Sequence, residues 1–246
     1  MDPFTSGLLF GITAAVANVL GGLTVVSRHD GWSPRILHGF IALGAGFMLA
    51  AALLRMGPEA SGLTPSAPML ILVGYLLVHL FEHTIAPHFH FGEETHSHVF
   101  VGSSIWVSAL AGLAVHSLFD GISIGSGFLV SPGLGLLVFA AILLHKAPEG
   151  FAIASVMIAA GVSRGGALAA TAAVGMASIV GVVAAQALSG YVGGALALST
   201  GVTLYVAASD LIPEVNKEEG AAMALLVFAG VALFYMSECA LAAFGL

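Results

Sequence analysis

The stretch GLGLLVFAAILLHKAPEGFAIASVMIAAG, residues 133–161, contains only two charged side chains, Lys146 and Glu149, in an otherwise apolar run. A helix needs about 20 apolar residues to cross the ~30 Å hydrocarbon core of a bilayer, so this run is long enough to span with tilt to spare. A carboxylate in the middle of such a span costs roughly 2.5 to 3.5 kcal/mol on insertion scales and demands a compensating partner. The preceding apolar run, residues 102–130, repeats the pattern. His116 precedes Asp120 by four residues, as His145 precedes Glu149, and on a helix that spacing stacks both side chains on one face.

The rest of the chain reads the same way. Of 246 residues, 59% are hydrophobic and 8% charged, and the mean hydropathy is +1.05, far outside the range of soluble domains. Eight spans are placed near residues 6–26, 36–56, 69–86, 102–130, 133–161, 166–188, 192–213 and 221–244. The expected fold class is thus an all-α polytopic membrane protein. Thirty-two glycines suit close helix packing in lipid, where small residues let backbones approach. The fourth and fifth spans, overlong and polar, read as the core pair, with a kink expected at Pro148. The opening Met1-Asp2-Pro3 has no basic region, so the first apolar stretch reads as a retained span. A net charge of -7 argues against nucleic acid. A single cysteine, Cys239, excludes a cysteine zinc cage, leaving nitrogen and oxygen ligands for any metal.

Arg28, Arg35, Arg164 and Lys217 fall in loops on one side of an eight-span chain, and Arg55 at a helix end on the other. The positive-inside bias makes the first side cytoplasmic and both termini external or periplasmic, in a plasma or inner membrane. An ungapped alignment of residues 43–60 with 198–215 pairs Leu43 with Leu198, Gly46 with Gly201, Leu49 with Leu204, Ala52 with Ala207, Pro58 with Pro213 and Glu59 with Glu214. Spans two and seven cross in opposite directions, so this match predicts an inverted repeat of spans one to three and six to eight around four and five, a 3+2+3 arrangement common in transporters.

Taking the core to begin near Ile105 and Leu134 puts His116 and His145 each eleven residues in. At ~1.5 Å per residue that is about 16 Å, near the midplane. Two imidazoles and two carboxylates at one depth suit Zn(II), and less selectively Fe(II), Mn(II) or Cd(II). Either histidine alone reads as a buried hydrogen-bonded core residue; the four groups together read as a metal site.

The paired segments resemble the ZIP (Zrt/Irt-like protein) family of divalent-metal transporters. The fourth helix of that family carries His-(Asn/Ser)-x-x-(Asp/Glu)-Gly, matched by His116-Ser117-Leu118-Phe119-Asp120-Gly121. The fifth carries His-x-x-Pro-x-Glu or a close variant, here His145-Lys146-Ala147-Pro148-Glu149. The resemblance implies a transporter with eight spans, external termini and a His-rich loop after span three. It implies that His116, Ser117, Asp120, His145 and Glu149 line the transport site. Three positions depart from the family pattern: Lys146 stands where several members have an acidic second-site residue, Ser178 is the best match for an acidic ligand on span six, and Arg55 stands where members commonly have His. A single-metal site is therefore expected, with the Lys146 ammonium in place of a second cation.

Glu82, His83, Asp210 and Glu238 are candidates for guiding ions at the membrane faces, and Met48 for a soft pathway contact. His88, His90, His96 and His98, with Glu93 and Glu94, form a His-rich loop (87–98) read either as a loose metal relay or sensor or as a solvated turn. The metal is cargo rather than a catalytic cofactor. The expected partners are that cation and the lipid bilayer, with a homodimer left open. The rival reading is a membrane-embedded zinc-dependent hydrolase with an activated water, but the chain has no His-Glu-x-x-His.

Overall fold

A computed structural model of the chain describes residues 1–27, 33–84, 103–218 and 220–246. The loop histidines His88, His90, His96 and His98 lie outside the described residues. Among those described, the chain is all-helical, with eight helices long and apolar enough to cross a membrane. They are α1 (Pro3–Ser27), α2 (Arg35–Leu63), α3 (Ala67–Thr84), α4 (Ser103–Val130), α5 (Pro132–Ala159), α6 (Arg164–Ala187), α7 (Ser189–Val215) and α8 (Ala221–Ala243).

Local chemistry sets the helix ends. Ser131 alone separates α4 from α5; its hydroxyl accepts from the Leu134 amide at 3.2 Å while Pro132 opens the helix, a position where a missing N–H costs nothing. Gly161, at φ 81°, makes the left-handed turn after α5, and Ser163 caps α6 by accepting from the Gly166 amide at 3.2 Å. Helix α2 runs past the apolar window that ends at Met56 and continues to Leu63. It carries Pro58 by widening into a π-helical segment, Ala51–Met56, closed by the Gly57 N–H on the Ala52 carbonyl. In α7 the segment Val206–Leu211 is also π-helical, closed by the Ile212 N–H on the Ala207 carbonyl and followed by Pro213. The wider turn takes up the ladder bond each proline cannot make.

Packing runs through glycines. Helix α1 lies on α5 and α6, α4 on α6 and α5, α3 on α7, and α2 on α8. A Cβ at Gly21 would strike the Ala147 carbonyl, and one at Gly150 the Asn18 carbonyl, so α1 and α5 meet backbone to backbone. Gly181 and Gly121 make the same contact between α6 and α4, against the Leu118 and Ser178 carbonyls. Such contacts replace the hydrophobic drive that lipid removes. Gly181→Val is accordingly expected to cost 1–3 kcal/mol or more through overpacking, read as a lower melting temperature in detergent, whereas Gly62→Ala, with open space around it, should not lower it.

Large apolar side chains face outward, among them Leu72, Leu76 and Leu80 on α3 and Leu225, Phe228 and Tyr235 on α8. Their helical spacing makes continuous apolar faces, as lipid requires. Helices α4 and α5, by contrast, are largely enclosed.

Candidate metal centre

His116 and His145 each sit half-way along their helices, one turn before Asp120 and Glu149. All four side chains are buried, and one ligand atom from each lies within 4.8 Å of the others. His116 Nε2 and His145 Nε2 are 3.4 Å apart. Asp120 Oδ2 lies 3.1 Å from the first and 3.2 Å from the second. Glu149 Oε2 is 4.0 Å from His116 Nε2. Tetrahedral ligands at 2.0–2.1 Å from a cation stand about 3.3 Å apart, so three of the four atoms already hold the spacing of a zinc site and Glu149 needs a small inward shift. His145 Nδ1 lies 3.2 Å from the Ala141 carbonyl. That bond places the proton on Nδ1 and leaves the Nε2 lone pair for a metal.

Lys146 is fully buried against the same group. Its Nζ lies 2.8 Å from Asp120 Oδ2 and 2.6 Å from Glu149 Oε2, and donates to Ser117 Oγ at 2.6 Å. Ser117 in turn donates to Glu149 Oε1 at 2.6 Å. One ammonium opposite two carboxylates leaves one negative charge in excess when both imidazoles are neutral. A divalent cation would turn that balance into an excess of one positive charge, a smaller burden in low dielectric than two bare carboxylates or two divalent ions would impose.

One residue of this network escaped the sequence reading. Asn18, on α1 and fully buried, donates from Nδ2 to Glu149 Oε1 at 3.1 Å. The available signal was a single amide in an apolar run, one turn before Gly21 and Gly22. The other sequence candidates are distributed elsewhere. Met48 is buried in the apolar cluster of α2 with Ala45, Leu211 and Phe234. Ser178 is buried on α6, its hydroxyl without a hydrogen-bond partner among the described residues. Glu82 accepts from the Tyr205 hydroxyl at 2.8 Å, and His83, exposed at the end of α3, lies 2.8 Å by Nδ1 from the His79 carbonyl. Asp210 is buried on the π-helical segment of α7. Glu238 pairs with Arg55, 3.6 Å apart.

A cavity of about 20 Å³ reaches the centre from the α3 side, with Glu82, Asp210 and His116 among its lining. That volume holds one water or one bare cation. Its lining is mostly apolar, with Val78, Phe81, Leu113 and Val206, and Glu82 on α3 and Asp210 on α7 supply its two carboxylates.

Residues 101–238 match the family model described as ZIP Zinc transporter, more than half of the chain. Zinc transporter ZIP9 of Micropogonias undulatus is 32% identical over 159 residues, covering 59% of this chain and 50% of that protein. The Xenopus tropicalis protein of the same name is 31% identical over 159 residues (59% and 52%), and that of Macaca fascicularis 36% over 118 residues (43% and 50%). The chain spans about half the length of the curated relatives it matches. The matched stretch contains both motif helices and all four converging ligands, and on that match the chain belongs to the ZIP zinc transporter family.

Proposed function

We propose that this protein moves a divalent cation, zinc first and Fe(II), Mn(II) or Cd(II) less selectively, into the cytoplasm through the His116–Asp120–His145–Glu149 centre. The observation that carries the reading is the convergence of these four buried ligands half-way along α4 and α5. Lys146 serves as a fixed positive charge in place of a second metal. One chain supplies every ligand, so the site does not need a second copy to be complete.

The mechanism proposed is alternating access by a helix bundle within an inverted 3+2+3 repeat. Two sets of contacts support the repeat. The π-helical segments Ala51–Met56 and Val206–Leu211 are the residues the alignment superposes. Gly46 and Gly230 join α2 to α8 as Gly201 and Gly74 join α7 to α3. On the same alignment Arg55 stands opposite Asp210. Asp210 lines the cavity that includes His116, whereas Arg55 is tied to Glu238.

The test is purified protein in liposomes with Zn(II) outside and a zinc dye inside. Uptake above that of empty vesicles is expected. No uptake, with metal-dependent release of a cleaved lipid or peptide, would replace transport by hydrolysis. Direction follows from topology. In a Cys239-free background, a cysteine placed at Thr95 should resist impermeant thiol reagents in intact cells and react after permeabilisation. Labelling before permeabilisation would reverse the orientation.

A further inference from the structure

Glu149 has two oxygens, and the groups around it treat them differently. Oε1 accepts from Asn18 Nδ2 at 3.1 Å and from Ser117 Oγ at 2.6 Å. Oε2 faces the histidines, 4.0 Å from His116 Nε2, and takes the Lys146 ammonium at 2.6 Å. A cation drawn in by Oε2 competes with that ammonium for the same oxygen and repels it. Ser117 is itself held by Lys146 at 2.6 Å, so displacing the ammonium disturbs both supports at once. Asn18 is independent of them. Among the described residues, it is the donor to Glu149 that comes from outside α4 and α5.

Its backbone is also fixed relative to Glu149. The residue after Glu149 is Gly150, where a Cβ would strike the Asn18 carbonyl and amide oxygen, and one turn along a Cβ at Gly21 would strike the Ala147 carbonyl. Any side chain at either glycine would push the helices apart, so α1 cannot slide along α5 without breaking this contact. This contact holds the side-chain amide in register with the carboxylate.

We propose that Asn18 is a positioning residue of the transport site: its amide N–H holds Oε1 of Glu149 and thereby presents Oε2 to the cation. An amide is the side chain of this shape that fits. Aspartate would set a second carboxylate against Glu149 and offer no donor. The inference rests on the transport-site reading above.

The experiment measures Zn(II) affinity of the full-length protein in detergent, taking the intramembrane site as the binding that His145→Ala removes, with thermal unfolding as the check on folding. Outer partners of metal ligands typically change affinity 10- to 100-fold when lost, so Asn18→Ala is expected to raise the site's Kd at least ~10-fold. Asn18→Leu, which keeps the branched outline of four side-chain heavy atoms without a donor, should do the same, and carries the measurement if the alanine variant unfolds. Adding either change to Glu149→Ala should weaken binding no further, because the amide acts through that carboxylate; a purely packing role would give an additive loss. A wild-type Kd in a folded Asn18 variant, or an additive loss in the double variant, overturns the proposal. If His145→Ala removes no binding at all, the transport-site reading fails, and this inference fails with it.

Discussion

His145→Ala and Glu149→Ala are each expected to lower zinc uptake by proteoliposomes at least ~10-fold while the purified proteins remain folded. His145 is fully buried, with Nε2 within 3.4 Å of His116 and 3.2 Å of Asp120, so its removal takes a ligand from the middle of the cluster. Glu149 gathers three donors, from Asn18, Ser117 and Lys146, and its loss removes a ligand together with half the counter-charge of the ammonium. Losing a partner that only orients a metal ligand typically costs 10- to 100-fold in affinity, so losing the ligand itself is expected to cost at least ~10-fold. Lys146 retains Asp120 at 2.8 Å, which is why the fold should survive. Smaller but clear losses are expected for His116→Ala and Asp120→Ala, since the remaining ligands still hold a weakened cation. Dye fluorescence in sealed vesicles, paired with thermal unfolding, reads both quantities. Undiminished uptake by both His145→Ala and Glu149→Ala would remove the site assignment.

Lys146→Asp is expected to change the number of metals bound within the spans from one to two. The wild-type ammonium stands between Asp120 Oδ2 and Glu149 Oε2, 2.8 Å and 2.6 Å away, where it repels a second cation and satisfies the oxygens that would bind it. A carboxylate in its place reverses the local field and adds an oxygen ligand. Metal analysis and anomalous scattering on both proteins, with the loop around His88 to His98 deleted to remove its own binding, measure the stoichiometry. Two intramembrane metals in the wild type would refute this role for Lys146.

Much of this was readable before any helix was placed in space. The eight spans and the all-helical class follow from hydropathy along the chain, and the pairing of His116 with Asp120 and His145 with Glu149 from helical periodicity. Both are local properties: a window of about 20 residues reports whether a segment can cross lipid, and a spacing of four reports which side chains share a face. Neither says what that face meets. The chain showed Lys146 beside Glu149, but its bonds to Ser117 and Asp120 arise only where α5 lies on α4. Asn18 and Glu149 are 131 residues apart, and the amide became part of the site only because Gly21 and Gly150 let two backbones touch. Met48 lies in an apolar cluster with Leu211 of α7 and Phe234 of α8, neighbours that its own helix does not reveal. In lipid the polarity of a segment fixes its depth but gives helices no preference for one another. The choice of neighbour falls to close contacts between small residues far apart in the chain, and these exist only in the assembled bundle.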